Sequence, residues 1–314
     1  MKQMILLLIS VFILISSCKK DDDSGTANDD IMVKFHFKFD PNQERLDGFG
    51  QPASIPSDHA ALSPDFSTMS AHFIELVPTE FTPYKSGAFV YKGAEVSASN
   101  PNPHGFTTAI DFDNAIVAGE GEAFLEIPLK DITPGTYENI RVSVAYQNYN
   151  VTYNLKNIPT IGDLDNETGT VASFVGYNSH INTLKVFNQE TAVNDAKLQG
   201  FWAFETQLPS PYDSYNQIFI GQAPQSATTV VNPFPNAPIP VGSCVVSGSF
   251  DQPVTLTGNE IDDINITLSF SINNSFEWKD LNGNGEWDLD VQDPNNSEPV
   301  VDMGLRGLRA SSDL

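Results

Sequence analysis

VKFHFKFD, residues Val33 to Asp40, alternates apolar and charged or polar side chains with a period of two. Val33, Phe35, Phe37 and Phe39 fall on one side, and Lys34, His36 and Lys38 on the other. Successive side chains of an extended strand point to opposite faces, so this stretch predicts a half-buried strand. The same pattern recurs twice. Ile140, Val142, Val144 and Tyr146 alternate with Arg141, Ser143, Ala145 and Gln147. Ile264, Ile266, Leu268, Phe270 and Ile272 alternate with Asn265, Thr267, Ser269, Ser271 and Asn273.

Shorter strand candidates lie at 73–77, 88–91, 124–129, 151–155, 170–174, 184–187, 200–206, 217–220, 245–250 and 254–256. No long segment has clean helical spacing; Ser63 to Ala71 is expected to form a helical turn or two. The fold class is therefore all-β, an antiparallel β-sandwich, with room for two packed β subdomains. Thr133-Pro134-Gly135 supplies a turn between strands. The polar run Asp163 to Gly169 suggests a boundary, giving subdomains at 31–160 and 161–314. Leu208 to Gly242 is dense in proline and reads as a long loop, functional or loosely ordered.

Asp280, Asn282, Asn284 and Asp288 occupy positions one, three, five and nine of a loop with Gly285 at six. This resembles the D-x-[DN]-x-[DN]-G calcium loop, in which alternate oxygen donors turn onto one hard cation. Glu286 offers its main-chain carbonyl at position seven. Position twelve is Val291 rather than Glu, so Asp290, Asp293, Glu298 or Asp302 must complete the site. Oxygen-only donors favour Ca²⁺, bound weakly with Kd on the order of 10⁻⁴–10⁻³ M. The competing reading is a polar hairpin, since Asn282-Gly283 and Asn284-Gly285 are both turn signals. Trp278 and Trp287 bracket the loop, as a lid or as strand anchors.

The N-terminus carries an address. A short basic start and an apolar run from Ile5 to Ile15 have the layout of a secretory signal. Ser16-Ser17-Cys18 follows, which resembles a bacterial lipobox; the resemblance implies cleavage after residue 17 and lipidation of Cys18. Lys19-Lys20-Asp21-Asp22-Asp23 resembles the acidic export tag of Bacteroidota-type surface lipoproteins. It implies an outer-membrane protein, lipid-anchored and facing outward, with residues 18–30 as a flexible tether. Several acyl chains on one residue anchor stably where one is marginal.

The net charge of −24 argues against nucleic acid and anionic headgroups as partners. With Cys18 lipidated, Cys244 has no disulfide partner and reads as a buried thiol.

Chemistry-bearing constellations are few. None of the five histidines has H-E-x-x-H spacing, and no G-x-S-x-G is present. Forty acidic residues leave chance carboxylate pairs, so a glycan-active hydrolase stays as one alternative. His59, Met69 and His72 offer copper-type donors. The elements VKFHFKFD, MSAHFIELVP and LEIPLKDITPGTYENIRVSV resemble the MbnP-like β-domain, which implies copper handling as a second alternative. Trp202, Tyr212 and Tyr215 flank the proline-rich segment and form a candidate aromatic platform for an extracellular glycan or protein. The leading expectation is a non-enzymatic surface lipoprotein, stabilised by Ca²⁺, that binds an extracellular ligand.

Overall fold

Val33, Phe35 and Phe37 are fully buried, whereas Lys38 is exposed and Lys34 and His36 are half-exposed. In the computed structural model, which describes residues 31–98, 107–224, 231–240 and 242–314, this run is strand β1, Met32–Asp40. The other strands follow in chain order. They are β2 (His59–Leu62), β3 (Asp65–Val77), β4 (Ala88–Lys92), β5 (Glu95–Ser97), β6 (Thr108–Asp111) and β7 (Ala123–Pro128). Next come β8 (Gly135–Ile158), β9 (Gly162–Phe174), β10 (Asn178–Lys185), β11 (Glu190–Leu198), β12 (Phe201–Thr206) and β13 (Ile218–Gln222). The last are β14 (Val245–Leu256), β15 (Ile264–Ser271), β16 (Phe276–Lys279), β17 (Asp288–Asp290), β18 (Val300–Asp302) and β19 (Leu308–Ser312).

The fold is an all-β sandwich, and most pairings are antiparallel. The large sheet runs β13-β12-β9-β8-β14-β19-β15-β1-β7, with β3, β4 and β17 joined beside β8. The two most strongly alternating strands of the sequence pair with each other. β1 and β15 run parallel, matching Phe35 with Ile266, Phe37 with Leu268 and Phe39 with Phe270. Phe37 also stacks on Phe124, ring centroids 4.7 Å apart. Both ends of the large sheet feed one continuous core, to which β16 adds Phe276 and Trp278. A second sheet, β11-β10-β6-β5, covers the back of β9 and β12. There Phe174, Phe201, Ile181 and Leu184 form a separate cluster.

β8 is the spine. Along one edge it pairs first with β14 and then with β9; along the other, first with β3 and then with β17. Its alternation predicts one wet face, but Arg141, Ser143, Ala145 and Gln147 are all buried as well. Layers cover both faces of this strand, so its polar residues need internal partners. Arg141 lies 3.4 Å from Glu75 and donates to the carbonyls of Thr82 and Pro83. The expected helical turn at Ser63 to Ala71 is instead extended, and from Asp65 on it is the first half of β3, held in register by pairing with β8. The polar run Asp163 to Gly169 is not a loop either. It begins β9, where Asn157 and Asn166 take positive φ and Leu164 pairs with Leu155. The 160/161 boundary therefore falls in the β8–β9 hairpin, and strands from both sides of it share the large sheet.

Candidate functional site

β9 has a period of two with unlike faces. Ala172 and Phe174 enter the second core, while Val171, Ser173 and Val175 turn the other way. β12 and β13 continue that second face. Val171 is in register with Phe204 and Phe204 with Phe219; Ser173 is in register with Trp202 and Trp202 with Gly221. Glycines make room for the two large rings. A Cβ at Gly221 would lie 2.3 Å from Trp202 Cζ2, and one at Gly169 would lie 2.3 Å from Phe204 Cε2. Each aromatic therefore packs close against a neighbouring strand's bare backbone.

A second wall faces this sheet. It consists of β17, β18 and the segments beside them, including Leu289, Val291, Val300 and Met303. Trp287 joins the walls: its ring sits 5.6 Å from Phe204 and 4.8 Å from Phe276, and its Nε1 donates to Glu298 O. Between the walls is a cleft of about 1300 Å³. Trp202, Tyr212 and Tyr215, the three residues of the aromatic platform, all line it. Tyr215 and Phe219 at its rim are 59% and 47% exposed.

The lining is overwhelmingly apolar, and its described residues include no Lys, Arg or His. Three carboxylates belong to it, and each is already engaged. Asp290 accepts the N–H groups of Gln292 and Asp293, which hold its carboxyl down to about 2. Glu298 accepts from Leu281 N and Asp288 N, while burial, aided by Asp288 and Asp280, raises its carboxyl above the ordinary range. Asp302 accepts from Gly304 N and pairs with Arg306. Two buried polar atoms on the same face have no partner: Ser173 Oγ and Gln147 Oε1, in register on adjacent strands. Sequence alternation foretells that Ser173 shares a face with Val171 and Val175, but nothing in it marks that face as a cleft.

The Asp280–Asp288 loop runs from β16 into β17 of the second wall. Asp280 accepts from Gly283 N at 2.8 Å and Gly285 N at 3.0 Å, with both glycines at positive φ. Asn282 Oδ1 accepts from Asn284 N, and Asn284 Oδ1 from Glu286 N. The side-chain amides of Asn282 and Asn284 both donate to Asp288 Oδ2. Glu298 bonds positions two and nine of the loop, so of the four candidate completing carboxylates it is the one bound into it. Asp290 instead meets Asn157 and Asn296, outside the loop, and the Glu286 side chain meets Asn154. No group of three or more His, Cys, Asp or Glu gathers at metal-binding range among the described residues. The donors are nonetheless all oxygen, which fits a hard cation and no soft one. Trp278 and Trp287 are buried in the main core as anchors rather than lying over the loop.

The copper-type residues are set against separate partners. His59 contacts Glu277 through Nδ1, Met69 is fully buried in the main core, and His72 lies against Glu95 and Tyr177. Cys18 and the signal and tether segments lie outside the described residues. Cys244 is buried beside Gln199 and Val175, and burial pushes its thiol up to about 12. No protein-family model, curated protein or solved structure matches this chain.

Proposed function

We propose that this chain is a lipid-anchored outer-membrane protein, facing outward, whose β-sandwich holds an extracellular ligand without transforming it. The ligand occupies the cleft of Trp202, Tyr212 and Tyr215, and Ca²⁺ in the Asp280–Asp288 loop stiffens one wall. The cleft itself carries the reading. Aromatic residues placed on a rigid sheet around a concave apolar space are the usual furniture of a ligand site. Its rim keeps Tyr215 and Phe219 in contact with solvent, where burial against a partner would be favourable. A holding role is supported by the state of the three lining carboxylates, whose oxygens are occupied by main-chain N–H groups or by Arg306. A general acid or base needs a proton-exchanging oxygen free for substrate. The anchor rests on the sequence around Cys18.

The test has two parts. Cys18→Ser is expected to release the chain from the membrane fraction and abolish palmitate incorporation; retained label ends the anchor reading. Incubation of the protein with mixed polysaccharides is expected to release no reducing sugar; release would favour a hydrolase.

A further inference from the structure

The cleft's walls specify a ligand class. We infer that the occupant is an uncharged amphiphile, a long apolar body bearing one hydroxyl or amide group that reaches Ser173. The inference rests on the ligand-holding reading and deepens it. Four observations converge. The volume of about 1300 Å³ exceeds the roughly 300–1,000 Å³ of ordinary small-molecule pockets, so the ligand is extended. Leu155, Val171, Phe204, Leu289 and Met303 give it apolar surface on both walls. No described lining residue is cationic, and Asp290, Glu298 and Asp302 line it, so a carboxylate or phosphate head finds like charge and no counter-ion.

The fourth observation is the pair of unsatisfied polar atoms. Ser173 is 1% exposed and lines the cleft, and its Oγ has no hydrogen-bond partner. Gln147, directly across the β8–β9 pair, is equally buried, and its Oε1 is also unpaired. Buried polar groups are nearly always satisfied, and an orphan hydroxyl on a residue that lines an apolar cleft signals a missing partner. A ligand hydroxyl or amide in the cleft pairs with Ser173 Oγ; Gln147, on the neighbouring β8, does not itself line the cleft. A sugar ring carries a hydroxyl on almost every carbon, while the polar side chains of Thr206, Gln217 and Gln222 in this lining are already engaged within the protein. Apolar bodies with a single polar group suit it better.

The probes are straight-chain 1-alkanols, the carboxylates of equal chain length at pH 8, and maltoheptaose. The full chain carrying Cys18→Ser is used without detergent, and Trp fluorescence and calorimetry read binding. Alkanol binding is expected to saturate and to tighten about two- to fourfold for each added methylene. The carboxylates are expected to bind at least about tenfold more weakly. Ser173→Ala, which removes only an unpaired hydroxyl, is expected to weaken the alkanols severalfold while leaving the matching alkane unchanged. Trp202→Ala is expected to weaken both. Maltoheptaose binding that Trp202→Ala abolishes, with no alkanol chain-length dependence, overturns the ligand class and leaves the holding role standing. If no probe of either kind binds, both fall. Alkanol binding that Ser173→Ala leaves intact overturns the hydroxyl contact.

Discussion

Trp202 lies across the bare Cα of Gly221, the residue paired with it on the edge strand β13, so that a methyl group there would meet the indole at 2.3 Å. The glycine therefore seats a ring of the cleft lining although it does not line the cleft itself. Gly221→Ala is expected to force the indole outward, costing about 1–3 kcal/mol as an overpacking change. The Trp emission spectrum should shift, and probe binding should weaken with it. An unchanged spectrum in a stable variant would show that the ring does not rest there.

Calcium should stabilise the protein by mass action. With Kd on the order of 10⁻⁴–10⁻³ M, 10 mM Ca²⁺ is worth about 1–3 kcal/mol, a rise of several degrees in Tm. Asp280→Ala with Asp288→Ala should abolish the response. Glu298→Gln should reduce it, because Glu298 ties loop positions two and nine together. Calorimetry with and without Ca²⁺ reads this, and equal midpoints in the parent protein would remove the metal from the loop.

Strands were legible where one face is wet and one dry, as at Val33 to Phe39 and Ile264 to Ile272. β8 was legible as a strand but not as the spine. Its second face carries Arg141, Ser143 and Gln147, which read as solvent-facing until the layers above and below it are known. The run Asp163 to Gly169 misleads for a related reason: main-chain pairing with β8 overrides a composition that local rules assign to a loop. At the site, Trp202, Tyr212 and Tyr215 stood out as aromatics beside prolines, and the loop stood out by its spacing. Leu289 did not, because it reaches the cleft only when β17 pairs with β8, over 130 positions away in the chain. Ser173 is an ordinary strand serine until its missing partner is seen.

A buried ion cluster ties together the three-stranded sheet β18-β16-β2, in which Glu277 of β16 is in register with Asp302 of β18. Glu277 contacts Arg45 and His59, lies 3.6 Å from Arg306, and shares Arg306 with Asp302 at the cleft wall. Burial lowers the Arg45 guanidinium from its ordinary value, with Arg306 adding repulsion. Glu277→Gln keeps the shape and removes the charge that two buried arginines share. The loss is expected to be about 3–5 kcal/mol, read from urea midpoints at pH 7. A change below about 1 kcal/mol would mean that Asp302 alone balances both cations.

The Cys244 thiol should be silent. It is buried, and burial raises it to about 12, so almost no thiolate exists at neutral pH. Ellman's reagent is expected to react with it only as fast as the protein unfolds. Reaction at the rate of a free thiol in the native protein would place Cys244 at the surface.

His72 makes the stability pH-dependent in a direction that can be worked out. The ring is buried against Tyr177, centroids 5.5 Å apart, with Nε2 3.1 Å from Glu95 Oε1 but unaligned for a hydrogen bond. Burial drives it down to about 4, against the opposing pull of Glu95; Lys92 and Lys85 push the same way as burial. The unfolded chain protonates His72 near 6.5, before the folded chain does. Its share of stability is therefore whole above pH 6.5 and drains away as pH falls from 6.5 towards 4. The loss runs at about 1.4 kcal/mol per pH unit and totals roughly 3 kcal/mol. His72→Phe keeps a ring beside Tyr177 and removes the titration. The difference in unfolding free energy between parent and variant should move by roughly 3 kcal/mol in the variant's favour from pH 7.5 to pH 4. Carboxylates distant from the ring cancel in that difference; Glu95, whose own titration His72 lowers, does not. A difference that stays flat across this range would mean that the folded chain protonates His72 as readily as the unfolded one does, and the ring would then have to be reached by water.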